Sequence, residues 1–226
     1  LLHNAGKCRV LTWDTSEIDE DRLVAITQSF EDIRNGYLNK RVTIENDDGR
    51  SVAPKEVPLG KWWLEHPERA TYHALRFDPS TTNKVLRKGE KEYLNLWRGF
   101  GVEPIQGDWS RMRNHILKVV ARGDRSHASY IIRWMAWAVQ NPESQAEVAL
   151  VLKGGKGAGK GVVGRTLRKL FGQHGLQISS SKHLTGNFNA HQRDCVLLFA
   201  DEAIVPGDKE GEAAIKRLIT EDTLAV

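Results

Sequence analysis

The chain has 226 residues, of which 40% are apolar and 27% charged, and it carries a net charge of +4. This is enough apolar material for one large domain or two modest ones, and it excludes wholesale disorder. No run of eighteen apolar residues exists to cross a membrane, and no charged segment leads into an apolar one as in a secretory leader. Cys8 and Cys195 are too few and too far apart in sequence for a disulfide framework, so core packing of both thiols and a reducing, cytoplasmic setting are expected.

Residues 1–108 read as a mixed α/β region. Leu23, Ile26, Phe30, Ile33 and Tyr37 follow a 3-4-3-4 spacing that predicts one helix, with Ser16 and Asp19 as its capping and first-turn residues. Arg41–Ile44 and Ser51–Ala53 flank the turn signal Asp47-Asp48-Gly49 and read as short strands. Pro54, Pro58 and Gly60 break the next stretch of chain; Trp62, Trp63 and Pro67 precede a strand-like stretch ending at Pro79, and Lys84–Lys91 reads as an exposed loop.

Residues 109–146 read as a helical, collar-like segment. Ser110 is the expected cap of a helix burying Met112, Ile116, Val119 and Val120, closed by Arg122-Gly123-Asp124. Ser126 is the expected cap of a second helix carrying Ile131, Ile132, Met135, Ala138 and Val139, stopped by Asn141-Pro142. Trp134 and Trp137 share a face of it and read as core or interface anchors.

Residues 147–226 alternate strand and helix. Val148–Leu152 and Cys195–Ala200 are continuous apolar runs of buried-strand length, and Leu176–Ile178 is a shorter one. Val162–Phe171, closed by Gly172, and Glu212–Ile219 read as helices, and Thr223–Val226 as a strand cut short. This order predicts a parallel sheet covered by helices. The segment is also polarised. No acidic residue falls between Val148 and Arg193, where Lys153, Lys156, Lys160, Arg165, Arg168, Lys169, Lys182 and Arg193 lie, whereas acidic residues crowd 194–222. A cationic block suits a phosphate-bearing ligand, and equally a solvated basic face.

Residue identity favours the ligand. Gly154-Gly155-Lys156-Gly157-Ala158-Gly159-Lys160-Gly161 satisfies Gly-x4-Gly-Lys between an apolar run and a helix. Glycines let several main-chain N–H groups converge on phosphate oxygens, the helix start adds its positive end, and Lys160 reaches the terminal phosphates. Gly161 stands where a Ser or Thr hydroxyl would hold Mg2+. Asp201-Glu202 follow the apolar run at 196–200, an expensive place for two carboxylates unless they meet a cation or water. Asp201 is the candidate Mg2+ ligand and Glu202 the candidate base for the attacking water. Lys160, Asp201 and Glu202 are thus the candidate catalytic residues, with ATP and Mg2+ as cofactors. Asn187, Asn189 and His191 lie between the two motifs and read as loop-ordering or phosphate-sensing residues. The histidines are dispersed, with no zinc-ligand spacing.

Asn95–Phe100, Trp134–Pro142, the glycine loop, Leu184–His191 and Phe199–Ala203 occur in an order that resembles the C-terminal ATPase domain of phage-type primase–helicases, related to superfamily 3 helicases. Trp63–Arg69 and Phe77–Pro79 resemble the segment preceding it, so the resemblance runs from about Lys61 onward. It implies a P-loop NTPase (AAA+-like) core over 147–226. It also implies a homo-oligomeric ring, hexameric in the family, around single-stranded or forked DNA, with no membrane partner. ATP hydrolysis would drive unwinding in phage-type DNA replication, with a primase or primase–polymerase region on the same polypeptide. The family's DNA-contacting hairpin, sensor asparagine and arginine finger would lie beyond Glu202, largely past Val226, which marks the core as C-terminally incomplete. Two other readings remain open: a DNA-binding ring or scaffold whose degenerate nucleotide site only regulates, and a small-molecule kinase, for which no arginine-bearing lid is evident.

Overall fold

The computed structural model describes residues 1–4, 6–17, 19–44, 54–155, 157–180, 182, 192–203 and 207–221. The fold is mixed α/β, with four small sheets among the described residues. It divides into two units. The first comprises Leu1–Thr15, Leu23–Arg76 and Asn83–Asn95, the second Ser16–Arg22, Phe77–Thr82 and Leu96–Val226.

In the first unit, β1 (Leu2–Asn4), β2 (Lys7–Thr15) and β3 (Leu23–Gln28) form an antiparallel sheet. The helix expected from Leu23 is therefore a strand over its first part, paired with β2 from Thr15↔Leu23 to Val10↔Gln28. Val24, Ile26 and Thr27 are β-branched, which favours the pleated conformation over a helix. The helix starts only at α1 (Phe30–Gly36), where Ser29 and Asp32 form a reciprocal capping box. Ser16 and Asp19 are not its caps; in the second unit they close a turn, with Ser16 N–H donating to the Arg22 carbonyl and Arg22 N–H to that of Asp19.

Strand β4 (Arg41–Ile44) forms as expected, but its partner is β5 (Lys55–Pro58). The expected turn at 47–49 and strand at 51–53 lie outside the described residues. Helix α2 (Leu59–Glu65) packs so closely on α1 that a Cβ on Gly60 would sit 2.6 Å from the Ile33 carbonyl oxygen. Val10, Ile33 and Leu64 form the small core there. Lys84–Lys91 is no loop: β7 (Val85–Lys88) and β8 (Lys91–Asn95) form a hairpin turning at Gly89, whose φ is +60°, and β6 (Ala74–Arg76) joins β8 in parallel.

In the second unit, α3 (Ser110–His115) runs into a π-helical turn at Ile116–Val120. There follow α4 (Arg125–Gln140), α5 (Lys160–Phe171), β9 (Gly175–Ile178), β10 (Leu197–Ala200) and α6 (Lys209–Thr220). Strands β9 and β10 pair in parallel, from Leu197↔Gly175 to Ala200↔Ile178. Their alternating side chains serve two cores. Leu197 joins Val163, Leu167 and Phe171 of α5, with Ile116, Ile131 and Ala138 behind them. Leu198 and Ala200 join Leu176, Ile178 and, from α6, Ala214, Ile215 and Leu218. The parallel pair is thus covered on both faces, which is why 195–200 reads as a continuous apolar run.

Val148–Leu152, by contrast, is not a strand. Leu150 and Leu152 reach the first core while Val151 is 75% exposed, and the Val148 carbonyl accepts the Trp134 indole N–H at 3.2 Å. Among the described residues the parallel part of this unit is therefore two strands, narrower than the sheet expected. The expected strand at 223–226 lies outside the described residues.

Gly164 in α5 is the contact point between helix and β10, since a Cβ there would overlap the Phe199 ring. Gly164→Ala is expected to lower stability by about 1–3 kcal/mol through overpacking, measured by urea denaturation.

A buried polar network braces the other end of β9. Arg22, 2% exposed, is ion-paired with Asp194, and its Nε donates to the Gln173 carbonyl at 3.0 Å. His174, fully buried, accepts the Arg98 N–H at Nε2 (2.9 Å), so Nδ1 carries the proton and donates to the Asp194 carbonyl at 2.7 Å. Trp97 lies over the ring at 4.5 Å. Burial holds the His174 pKa below its ordinary 6.5, so the folded state keeps it neutral. Stability from this site is complete above pH 6.5 and falls as the pH drops below it, because only the unfolded chain then takes up the proton. The unfolding free energy from urea titrations should therefore fall as the pH drops below 6.5, and His174→Gln should flatten that dependence.

Candidate nucleotide site

The glycine loop lies in the second unit and ends at the first turn of α5, which begins at Lys160 itself. Gly157 and Gly159 have φ of +77° and +80°, the left-handed region that disfavours side chains. Gly159 is further constrained by contact: a Cβ there would lie 2.6 Å from His115 Cε1. The His115 Nε2–H donates to the Gly159 carbonyl at 3.0 Å, so the imidazole fixes the residue at the helix entry. Val119, one turn further along, faces the same glycine. No motif in the sequence ties His115 or Val119 to this loop.

The π-helical turn explains how this flank is shaped. The Ala121 N–H bonds the Ile116 carbonyl at 2.8 Å, and Arg122 and Gly123, with φ of +52° and +86°, reverse the chain. Asp124 then caps α4, accepting the N–H groups of Ser126 (2.8 Å) and His127 (3.0 Å). Asp124, and not Ser126, is therefore the cap. The His127 N–H bond comes first among the causes holding the Asp124 carboxyl below its ordinary pKa. Helical spacing sends His127, Tyr130 and Ile131 the same way. They line a cavity of about 360 Å3 together with Leu150–Gly155, Ala158 and Lys160.

Lys160 Nζ donates to the carbonyls of Gly154 (2.7 Å) and Gly155 (2.8 Å), closing the loop on itself with a cation at its centre. Gly161 offers no hydroxyl. A Cβ there would lie 2.6 Å from a guanidinium nitrogen of Arg165, one helical turn on, so a positive group fills the space a Ser or Thr side chain would take. Lys156, Asn187, Asn189 and His191 lie outside the described residues.

Asp201 and Glu202 follow the tip of β10. The Asp201 N–H continues the ladder to the Ile178 carbonyl at 2.9 Å, and Glu202 adopts a φ of +56°. A left-handed glutamate is an uncommon conformation that re-aims the chain at the strand end. Ala203 is buried behind it at 3% exposure. Between acidic pair and loop the described link is packing: Phe199, two residues before Asp201, lies on Gly164, four residues after Lys160. Among the described residues no three His, Cys, Asp or Glu side chains cluster to hold a metal, and no helix is long and apolar enough to cross a membrane. Burial pushes the Cys195 thiol up to about 11, the state of a packing residue and not of a nucleophile.

Residues 152–226, which include the glycine loop and the acidic pair, match the model of a family of unknown function (DUF5906). The chain is 26% identical over 156 residues, 66% of its length, to the DNA primase-polymerase of Nitratiruptor phage NrS-1. It spans only 21% of that relative. The apo structure of the NrS-1 C-terminal region matches with a TM-score of 0.63 over 96% of this chain and 49% of that one, at 17% identity. An A-form apo structure of the same region matches with a TM-score of 0.61 over 86% and 51%, at 18% identity. The chain is therefore similar in sequence to a phage primase-polymerase, and its fold is similar to that of the C-terminal region of NrS-1.

Proposed function

We propose that this chain is the nucleoside-triphosphate-hydrolysing, DNA-translocating part of a phage-type replication protein, with a P-loop (AAA+-like) core. The observation that carries the reading is the loop around Ala158: two left-handed glycines, Lys160 gathered at its centre, and a helix that starts at that lysine. Backbone N–H groups of such a turn, a helix start and a lysine all favour phosphate. The similarity to a phage DNA primase-polymerase supports DNA replication as the setting.

In this reading Gly154–Gly161 and Lys160 bind the β- and γ-phosphates of ATP. Asp201 is the carboxylate that would hold Mg2+, which supplies charge neutralisation on the phosphate oxygens. Glu202 takes the proton of the attacking water. Single-stranded or forked DNA is the substrate track and a homo-oligomeric ring, hexameric by resemblance, the working form.

Glu202→Gln is expected to reduce DNA-stimulated ATP turnover by at least about 100-fold while leaving ATP affinity within about twofold. Unchanged turnover would remove Glu202 from this role. A second reading, a DNA-binding ring whose nucleotide site only regulates assembly, draws on Gly161 and the Arg165 guanidinium beside it. It predicts wild-type ATP binding without turnover, with DNA present or absent.

A further inference from the structure

The cavity beside the loop is lined by more than the loop itself. Its lining includes Val120, Arg122, Tyr130 and Ile131, from the turn and helix that precede the loop, together with Leu150 and Val151. Two of these are large groups left in solvent: Tyr130 is 54% exposed and Val151 75%. An aromatic face and an aliphatic one on the lining of one cavity, with cations at Arg122 and Lys160, form a slot for a flat, partly apolar ligand bearing an anionic tail.

Resting on the phosphate reading of the loop, we propose that this slot receives the base and sugar of the nucleotide, with the base against Tyr130. The helical segment, and not the glycine loop, then sets the chain's preference for nucleosides over bare phosphate. Residues far apart in sequence reach one site because the π turn and the reversal at Arg122-Gly123 bring α4 alongside 150–155.

The test uses ATP and inorganic tripolyphosphate as probes, titrated calorimetrically into the wild-type chain and into Tyr130→Ala, Tyr130→Phe and Lys160→Ala. Tyr130 is exposed enough for its truncation to leave the fold intact, which a thermal melt verifies. Tyr130→Ala should weaken ATP about tenfold, the range of base–aromatic stacking, and leave tripolyphosphate within about twofold. Tyr130→Phe should keep both affinities, and Lys160→Ala should lose both. Equal affinity of wild type and Tyr130→Ala for ATP, or equal weakening of both probes, would overturn the slot while leaving the phosphate loop standing. A wild-type chain that binds neither probe would overturn the loop and the slot together.

Discussion

Asp194→Ala is expected to destabilise the chain by about 3–5 kcal/mol, the largest single-residue effect on folding, because it strands a buried guanidinium. Arg22 is 2% exposed and cannot swing into solvent, and the Asp194 carboxylate is ion-paired with it. The carboxylate also accepts a hydrogen bond from Gln173 Nε2 at 3.3 Å, which the truncation removes as well. For a chain of this length the loss should lower the melting temperature by roughly 10 °C, read by calorimetry. Replacing both partners, Arg22→Met with Asp194→Leu, should recover much of it, since no charge is then left buried.

Lys160→Ala is the change with the largest expected effect on ligand binding. In the structure its ammonium donates to the carbonyls of Gly154 and Gly155; on binding, the same ammonium donors would turn to phosphate oxygens. Two charge-assisted bonds of about 1.5–3 kcal/mol each imply at least a roughly 100-fold weaker ATP affinity. Those two carbonyls lie where water can reach them, so the thermal melt should move little. Tight ATP binding retained by this variant would refute the phosphate role of the loop.

Helices with an uninterrupted apolar stripe are legible in the sequence, as α4, α5 and α6 attest, because a 3.6-residue period and a nearby stop leave few alternatives. The stretch at 23–37 misleads because its 3-4 spacing spans two elements: β-branched residues set the first, and the Ser29-Asp32 box starts the second. The hairpin at 85–95 is hidden by its charged outer face, although Gly89-Glu90 between two short runs is a turn signal. Val148–Leu152 is as apolar as β10, yet only β10 is covered on both faces; tertiary context decides, and composition does not carry it. In the candidate site, the loop and acidic pair announce themselves by spacing. His115, Asp124 and Tyr130 do not, because they come from well upstream in the chain, on either side of a π turn that no short-range pattern encodes.

Hydrogen exchange of the wild-type chain with and without saturating ATP and Mg2+ tests the central claim most directly. If main-chain amides around Ala158 wrap the triphosphate while Asp201 shares its cation, slowed exchange should appear in two separate peptides, one covering 157–162 and one covering 199–203. Unchanged exchange in both, with ATP shown to be bound, would place the nucleotide elsewhere and contradict the account.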